Sequence, residues 1–226
     1  VMPYAAAVMC GFDGECAQCA GDKAVVSGNP VREEILALQP PAQRYEDRQG
    51  PLKVLVFGGS LGAKVLNDTV PEAIALFDKE NCPEVIHQCG KNNANEVQAH
   101  YERLGLKAKV MPFIDDMAAA YAWADVVVCR AGATTVSELA AGGIPALLVP
   151  FVVSTTQHQL GNAKYLEAHQ AGVYIDQKLL SAQSLFEKLH SLNREELVRM
   201  AENARKLSHR DAAKTVADQI ERLAKK

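Results

Sequence analysis

Three glycines and a serine stand in FGGSLGA (residues 57–63), where an apolar run, KVLV, gives way to a helical pattern, KVLNDTVPEAIALF. A helix N-terminus presents unpaired N–H groups and about half a positive charge, so anions settle there. Glycines let a phosphate approach the backbone, and the Ser60 hydroxyl adds a donor. Three other readings stay open. A dinucleotide site wants G-x-G-x-x-G and an acid about 20 residues on. Here that spacing is absent and the next strand ends in Gln88 and Cys89, which argues against NAD. Gly58-x-Ser60-x-Gly62 also matches the nucleophile elbow of serine hydrolases, with Glu138 and His158 downstream in triad order. Little sheet-forming sequence precedes Ser60, however, and an elbow needs earlier strands beneath it. Finally, small residues can simply tighten a strand-to-helix turn.

A second turn of the same kind lies in CRAGATTVSELAAGGIPALLVPF (129–151). Thr135-Val136-Ser137-Glu138 fits a capping box, in which the glutamate returns to the helix start. Alternatively, Glu138 is a carboxylate at a cleft edge that accepts hydrogen bonds from a sugar diol. Two helices aiming positive ends at one cleft, with a carboxylate beside them, suit a nucleotide diphosphate. In an open parallel sheet that cleft lies beyond the carboxyl ends of the strands. Other polar residues have plainer readings. Asp115 and Asp116 complement a helix dipole, Arg32 is a solvated charge, and Tyr121 and Trp123 pack at helical spacing from Met117. Gln157-His158-Gln159 either caps a helix or reads hydroxyl groups.

The elements that must position these turns are legible from residue 53 onward. Near-continuous apolar runs predict six strands, at 53–58, 84–88, 109–113, 125–129, 145–150 and 172–176. Helical patterns fall between them, at 63–79, 92–104, 115–123, 135–141 and 158–168. Strict alternation predicts an α/β fold with a doubly wound, Rossmann-like parallel sheet of about six strands. Three further helices follow, at 182–192, 194–207 and 211–225, the last with Ala213, Val216, Ile220 and Leu223 on one face that should pack. The first fifty residues differ: a strand at 6–12, then a proline-rich, polar stretch with a short helix at 32–38. This sets a boundary near residue 28.

Composition bounds the function. A net charge of -3, with acidic and basic residues interspersed, argues against a nucleic-acid binder. No apolar run reaches the roughly 18 residues of a membrane span, and the apolar opening has no basic region of the kind signal peptides carry. Of the six cysteines, Cys82, Cys89 and Cys129 sit in or beside strand-like runs, as buried thiols do. Cys16-Ala-Gln-Cys19 spells C-x-x-C, but no second ligand pair stands at a zinc-site spacing.

GNPVR (28–32), FGGSLGA (57–63), residues 113–151 and HQLGNA (158–163), in that order, resemble the MurG family of peptidoglycan glycosyltransferases. The resemblance covers about residues 28–226. It implies the C-terminal, donor-binding half of a GT-B fold at 53–226, a linker at 28–52, and at 1–27 the last piece of an N-terminal acceptor domain. The implied reaction moves N-acetylglucosamine from UDP-GlcNAc to lipid I with inversion, without metal or other cofactor, at the cytoplasmic face of the bacterial membrane. Carried over, the Ile114 backbone reads the uracil and Glu138 holds the ribose hydroxyls. Ser60 and the turn Ala133, Thr134 and Thr135 meet the diphosphate, with Val136 and Ser137 in the same substrate-binding stretch. Gln159 holds the sugar hydroxyls with His158 beside it, and Arg32 lies near the nucleotide. The probable base and the contacts to lipid I and the membrane are implied to lie in the absent N-terminal domain.

Overall fold

The structure, a computed structural model, describes residues 4–152 and 158–225. Its central feature is a six-stranded, all-parallel sheet: β3 (Lys53–Phe57), β4 (Glu84–Gln88), β5 (Ala108–Met111), β6 (Val126–Cys129), β7 (Ala146–Leu148) and β8 (Val173–Tyr174). The spatial order β5-β4-β3-β6-β7-β8 runs 3-2-1-4-5-6 counted along this sheet, so the winding reverses between β3 and β6. All six strands fall within the predicted runs to one or two residues, and the doubly wound α/β expectation holds.

Side-chain alternation explains why the strands read as unbroken apolar runs. Val54, Val56, Val126, Val128 and Leu147 face one core, while Leu55, Phe57, Val127, Cys129 and Leu148 face the other. Helices α4 (Lys64–Ile74) and α5 (Ala94–Arg103) cover the first face with α9 (Ala182–Ser191) and α10 (Arg194–Lys206). Helices α6 (Met117–Trp123), α7 (Ala133–Gly142) and α8 (His158–Ala168) cover the second.

Three helix expectations need correction. Helix α4 ends at Ile74 rather than Lys79, because beyond Ala75 the bonds tighten to Leu76 N–Ala73 O and Phe77 N–Ile74 O. Helix α7 begins at Ala133, two residues early, and its N-cap is Gly132. Thr135 is therefore inside the helix and the capping box does not form. Helix α11 (Ala212–Ala224) does not bury its apolar face: only Ala212 is buried, and Ile220 is 61% exposed.

Upstream, β1 (Val8–Cys10) and β2 (Ala24–Val26) pair in parallel through α1 (Glu15–Ala20), so a second strand joins the expected one. The stretch 28–52 holds two short helices, α2 (Glu33–Leu36) and α3 (Pro41–Tyr45), and is tied to the sheet domain. Ile35 and Tyr45 are buried, and Arg44 donates to the carbonyls of Gly142 and Gly143 at the C-terminus of α7. Asp125, fully buried at the foot of β6, accepts from Arg48 and from the Lys53 N–H.

His87, in the middle of β4, has no exposed surface, and its ring nitrogens meet Tyr101 Oη at 3.0 Å and Asn67 Oδ1 at 3.1 Å. Burial pushes its pKa down to about 3 from 6.5. Below pH 6.5 the unfolded chain takes up a proton here that the folded chain refuses, so stability falls as pH falls. The slope approaches about 1.4 kcal/mol per pH unit. Denaturant titrations between pH 6.5 and 5, above most carboxylate titration, should show this slope in the native chain. His87→Gln, which cannot charge, should flatten it while lowering the overall midpoint.

Candidate functional site

β3 and β6 lie side by side in register, Phe57 opposite Cys129, yet the helices that follow them pack on opposite faces. The two connecting turns diverge at the strand ends and leave a crevice between them, as sheets of this order do at the reversal point. Residues 58–63 form one wall and residues 130–135 the other.

Both turns are held from outside. Gly62 (φ 76°) and Gly90 (φ 89°) interlock: a Cβ on Gly62 would stand 1.9 Å from the Cys89 carbonyl oxygen, and one on Gly90 would stand 2.3 Å from that of Leu61. The Gln88 amide donates to the carbonyls of Gly59 (3.0 Å) and Pro112 (2.9 Å), tying the first turn to the end of β5. Asn162 on α8 donates to the Ala131 carbonyl at 2.9 Å and holds the second turn. Neither α4 nor α7 receives a side-chain cap, whereas Asp116, Ser181 and Asn193 cap α6, α9 and α10. Residues at both helix starts, Lys64 and Val65 of α4 and Thr135 of α7, line the crevice, and so bring the positive ends of both dipoles to it.

Two adjoining clefts share Phe57, Gly59 and Ser60. The smaller, about 280 Å³, is lined by Arg32, Ile114, Tyr121 and Glu138. Its wall holds a charged triad. Arg32 donates to Glu138 Oε1 from Nη2 at 2.8 Å and from Nε at 3.2 Å, and Tyr121 Oη donates to Oε2 at 3.2 Å. Burial, and then the neighbouring Glu138 charge, push the Tyr121 phenol well above its ordinary pKa, so it remains a donor. The Glu138 side chain is 9% exposed and that of Arg32 is 51% exposed. The carboxylate is thus fixed from behind and beside, with acceptor capacity left toward the cleft.

The larger cleft, about 790 Å³, runs along the glycine turn to Arg130, Gly132, Thr135, Phe151, Gln159 and Gln177. Arg130 donates to Val149 O (3.0 Å) and Gln177 Oε1 (2.6 Å), and its guanidinium lies 5.4 Å from the Phe151 ring centre. It brings a fixed positive charge to the side of the crevice where the two helix ends converge.

The structure brings most of the expected residues to this crevice. Ser60 lines both clefts; Arg32, Ile114 and Glu138 line the smaller; Thr135 and Gln159 line the larger. Gln159 Oε1 already accepts from the Phe151 N–H at 2.9 Å. Thr134 is exposed at the α7 start. Val136 buries its side chain in the core and gives its N–H to Gly132 O. Ser137 donates to Ala133 O and accepts from Asn29, so both serve the turn's shape. Ala133 and His158 line a different cavity, on the side of α7 toward β1 and α1. Gln157 lies outside the described residues.

Four contributors escaped the sequence reading in their roles: Gln88, Tyr121, Arg130 and Asn162. Only Arg130 carried a signal, a lone cation directly after a buried strand. No described histidine lines either cleft that Ser60 opens into, so the serine-nucleophile reading finds no base.

The doubly wound domain has the Rossmann-like fold of the C-terminal half of GT-B glycosyltransferases. The chain belongs to glycosyltransferase family 28: residues 53–219 match the Glycosyltransferase family 28 C-terminal domain. It is 49% identical over 225 residues to the UDP-N-acetylglucosamine--N-acetylmuramyl-(pentapeptide) pyrophosphoryl-undecaprenol N-acetylglucosamine transferase of Janthinobacterium sp. (strain Marseille). That match covers 100% of this chain and 63% of the relative, so the chain spans a little over three-fifths of that protein's length. Among solved structures, MurG of Acinetobacter baumannii superposes with a TM-score of 0.80 at 32% identity, over 96% of this chain and 67% of that one. The UDP-GlcNAc 2-epimerase of Neisseria meningitidis, bound to UDP-GlcNAc, shares the fold at a TM-score of 0.57 and 14% identity, over 89% of this chain and 55% of that one.

The interlocked turn gives a direct test. Gly62→Ala meets both an unfavourable φ, costing about 1–2 kcal/mol, and a backbone clash that must shift the turn. Gly59→Ala meets only the unfavourable φ of 87°, because nothing lies within 4 Å of its Cβ position. Thermal melts should rank Gly62→Ala well below Gly59→Ala, and equal losses would contradict the interlock.

Proposed function

We propose that this chain is the donor-binding portion of a transferase that moves N-acetylglucosamine from UDP-GlcNAc to lipid I. The observation that carries the reading is the convergence of two uncapped helix N-termini, Ser60 and Arg130 on a crevice whose adjoining wall presents Glu138. The diphosphate lies between the turns, where N–H groups of α4 and α7 and the Ser60 hydroxyl meet its oxygens. The ribose diol donates to Glu138, which Arg32 and Tyr121 hold in place. The base lies against the backbone of Ile114, and the sugar extends along the larger cleft toward Thr135 and Gln159.

Chemically, this half stabilises the leaving group. As the acceptor hydroxyl attacks the anomeric carbon, negative charge grows on the departing UDP. Fixed N–H dipoles and the Arg130 guanidinium meet that charge without reorganising. On this reading the attacking hydroxyl, its base and the membrane contact belong to the part of the relatives that this chain does not span. Sugar transfer therefore requires that part.

Calorimetric titration with UDP-GlcNAc, UDP-glucose and UDP checks the assignment. The native chain should bind UDP-GlcNAc, and Glu138→Ala should weaken it about tenfold or more, the worth of hydrogen bonds to a charged acceptor. Near-ultraviolet circular dichroism confirms that the variant is folded. Unchanged affinity in folded Glu138→Ala, or no binding by the folded native chain, removes the donor-site assignment. Binding of UDP with no preference among sugars would reduce the reading to a nucleotide module.

A further inference from the structure

On the far side of α7 from the donor crevice, three cysteines gather where β1 meets α1. Cys10, at the end of β1, is 1% exposed, and its Sγ lies 3.3 Å from Sγ of Cys16. Cys16 and Cys19, one helical turn apart on α1, are both exposed and line a cavity of about 420 Å³. The other thiols are placed differently: Cys89 and Cys129 are buried in the sheet domain, and Cys82 is half-buried. Nothing in the donor-site assignment uses this cluster.

We propose that Cys10 and Cys16 form a peroxide-reactive dithiol that closes reversibly to a disulfide. The exposed Cys16 sulfur attacks the peroxide O–O bond, giving a sulfenic acid and releasing water. The Cys10 sulfur then attacks the sulfenic sulfur, forms the S–S bond and releases a second water. The peroxide accepts both electrons, and both thiol protons leave in water. Order follows from burial: the Cys10 thiol, pushed up to about 11 by burial and then by its bond to Cys16, keeps its proton until the sulfenic acid stands beside it. Separation favours this pair, since the two sulfurs need to close from 3.3 Å to about 2.05 Å, along the vector of the existing contact. A small dithiol reopens the bond by attacking the exposed Cys16 sulfur, which releases the Cys10 thiol, and a second attack by the dithiol frees Cys16; Cys19 stays outside the pair.

The position gives oxidation a structural reach. The Cys10 carbonyl accepts from the N–H groups of both Ser27 and Gly28. The next residue, Asn29, donates to Ser137 on α7, and Arg32 holds Glu138. Cys10 is thus hydrogen-bonded to the segment that leads through Asn29 and Arg32 to Ser137 and Glu138.

The test treats the folded chain with a modest excess of hydrogen peroxide, alkylates it in denaturant, and maps it after cleavage at Glu15. Expected are the loss of two hydrogens, two protected thiols, and a cross-link between the peptides that carry Cys10 and Cys16, all reversed by dithiothreitol. Cys19→Ser should behave as the native chain, while Cys16→Ser should leave Cys10 alkylatable. A cross-link that survives in Cys16→Ser, one lost in Cys19→Ser, or a native chain whose Cys10 stays fully alkylatable would overturn the proposal. Mapping the native chain alone decides the last point, independently of how any variant folds.

Discussion

The reversal of winding between β3 and β6 is the constraint on which the site depends. At this reversal the two paired strands send their connections to opposite faces, and each face of the sheet gains its own cover of helices. The turns that leave their paired ends therefore part, and Phe57 at the end of β3 lines the gap. The crevice is a consequence of topology before any binding residue is chosen. What the sequence adds is emptiness and stiffness: glycines at 58, 59, 62 and 132 keep the walls free of bulk, and Gln88 and Asn162 brace those walls from neighbouring elements.

Glu138 is the second fixed point, and its energetics differ from those of a surface ion pair. A carboxylate with 9% exposure must be compensated, and Arg32 and Tyr121 do so from two directions. Arg32 is half in water, so the pair is screened and contributes little to stability. Its value lies in placement. Arg32 arrives on a strap whose Arg44, Tyr45 and Arg48 anchor at the C-terminus of α7 and the foot of β6. The strap is thus tied to α7 both at Glu138 and at its C-terminus, which holds the carboxylate in its orientation toward the cleft.

Legibility in the sequence tracked how locally each feature was determined. Strands buried on both faces wrote themselves as apolar runs, so the sheet and its alternation were plain from Val54 to Tyr174. The glycine turn and the pairing of two such turns were equally plain. Glu138 was not, because T-x-x-E reads the same whether the glutamate caps a helix or sits within one. Only the helix start at Ala133 separates these readings, and it depends on where β6 ends. Gln88 looked like the absence of an acid, and its role as a brace requires knowing that Gly59 and Pro112 lie on either side of it. Tyr121 read correctly as core, but its hydroxyl belongs to the site. The missing cover on the apolar face of α11 is a tertiary fact that no helical periodicity could reveal.

The uncapped helices join stability to function. An N-cap side chain contributes about 1 kcal/mol, and α6, α9 and α10 each take it. Helix α5 forgoes a side-chain cap bond as well, but there Asn93 turns its amide to the Cys89 carbonyl and so serves the glycine interlock. At α4 and α7 the N-caps are Ala63 and Gly132, and neither residue has a group that could compete for the free N–H groups. A capping serine or aspartate would occupy those donors, and an aspartate would also place negative charge where the proposed function puts an anion. The fold therefore forgoes local helix stabilisation at the two ends that meet across the crevice. An anion that bridges them supplies both caps at once, which couples its binding to the rigidity of both walls.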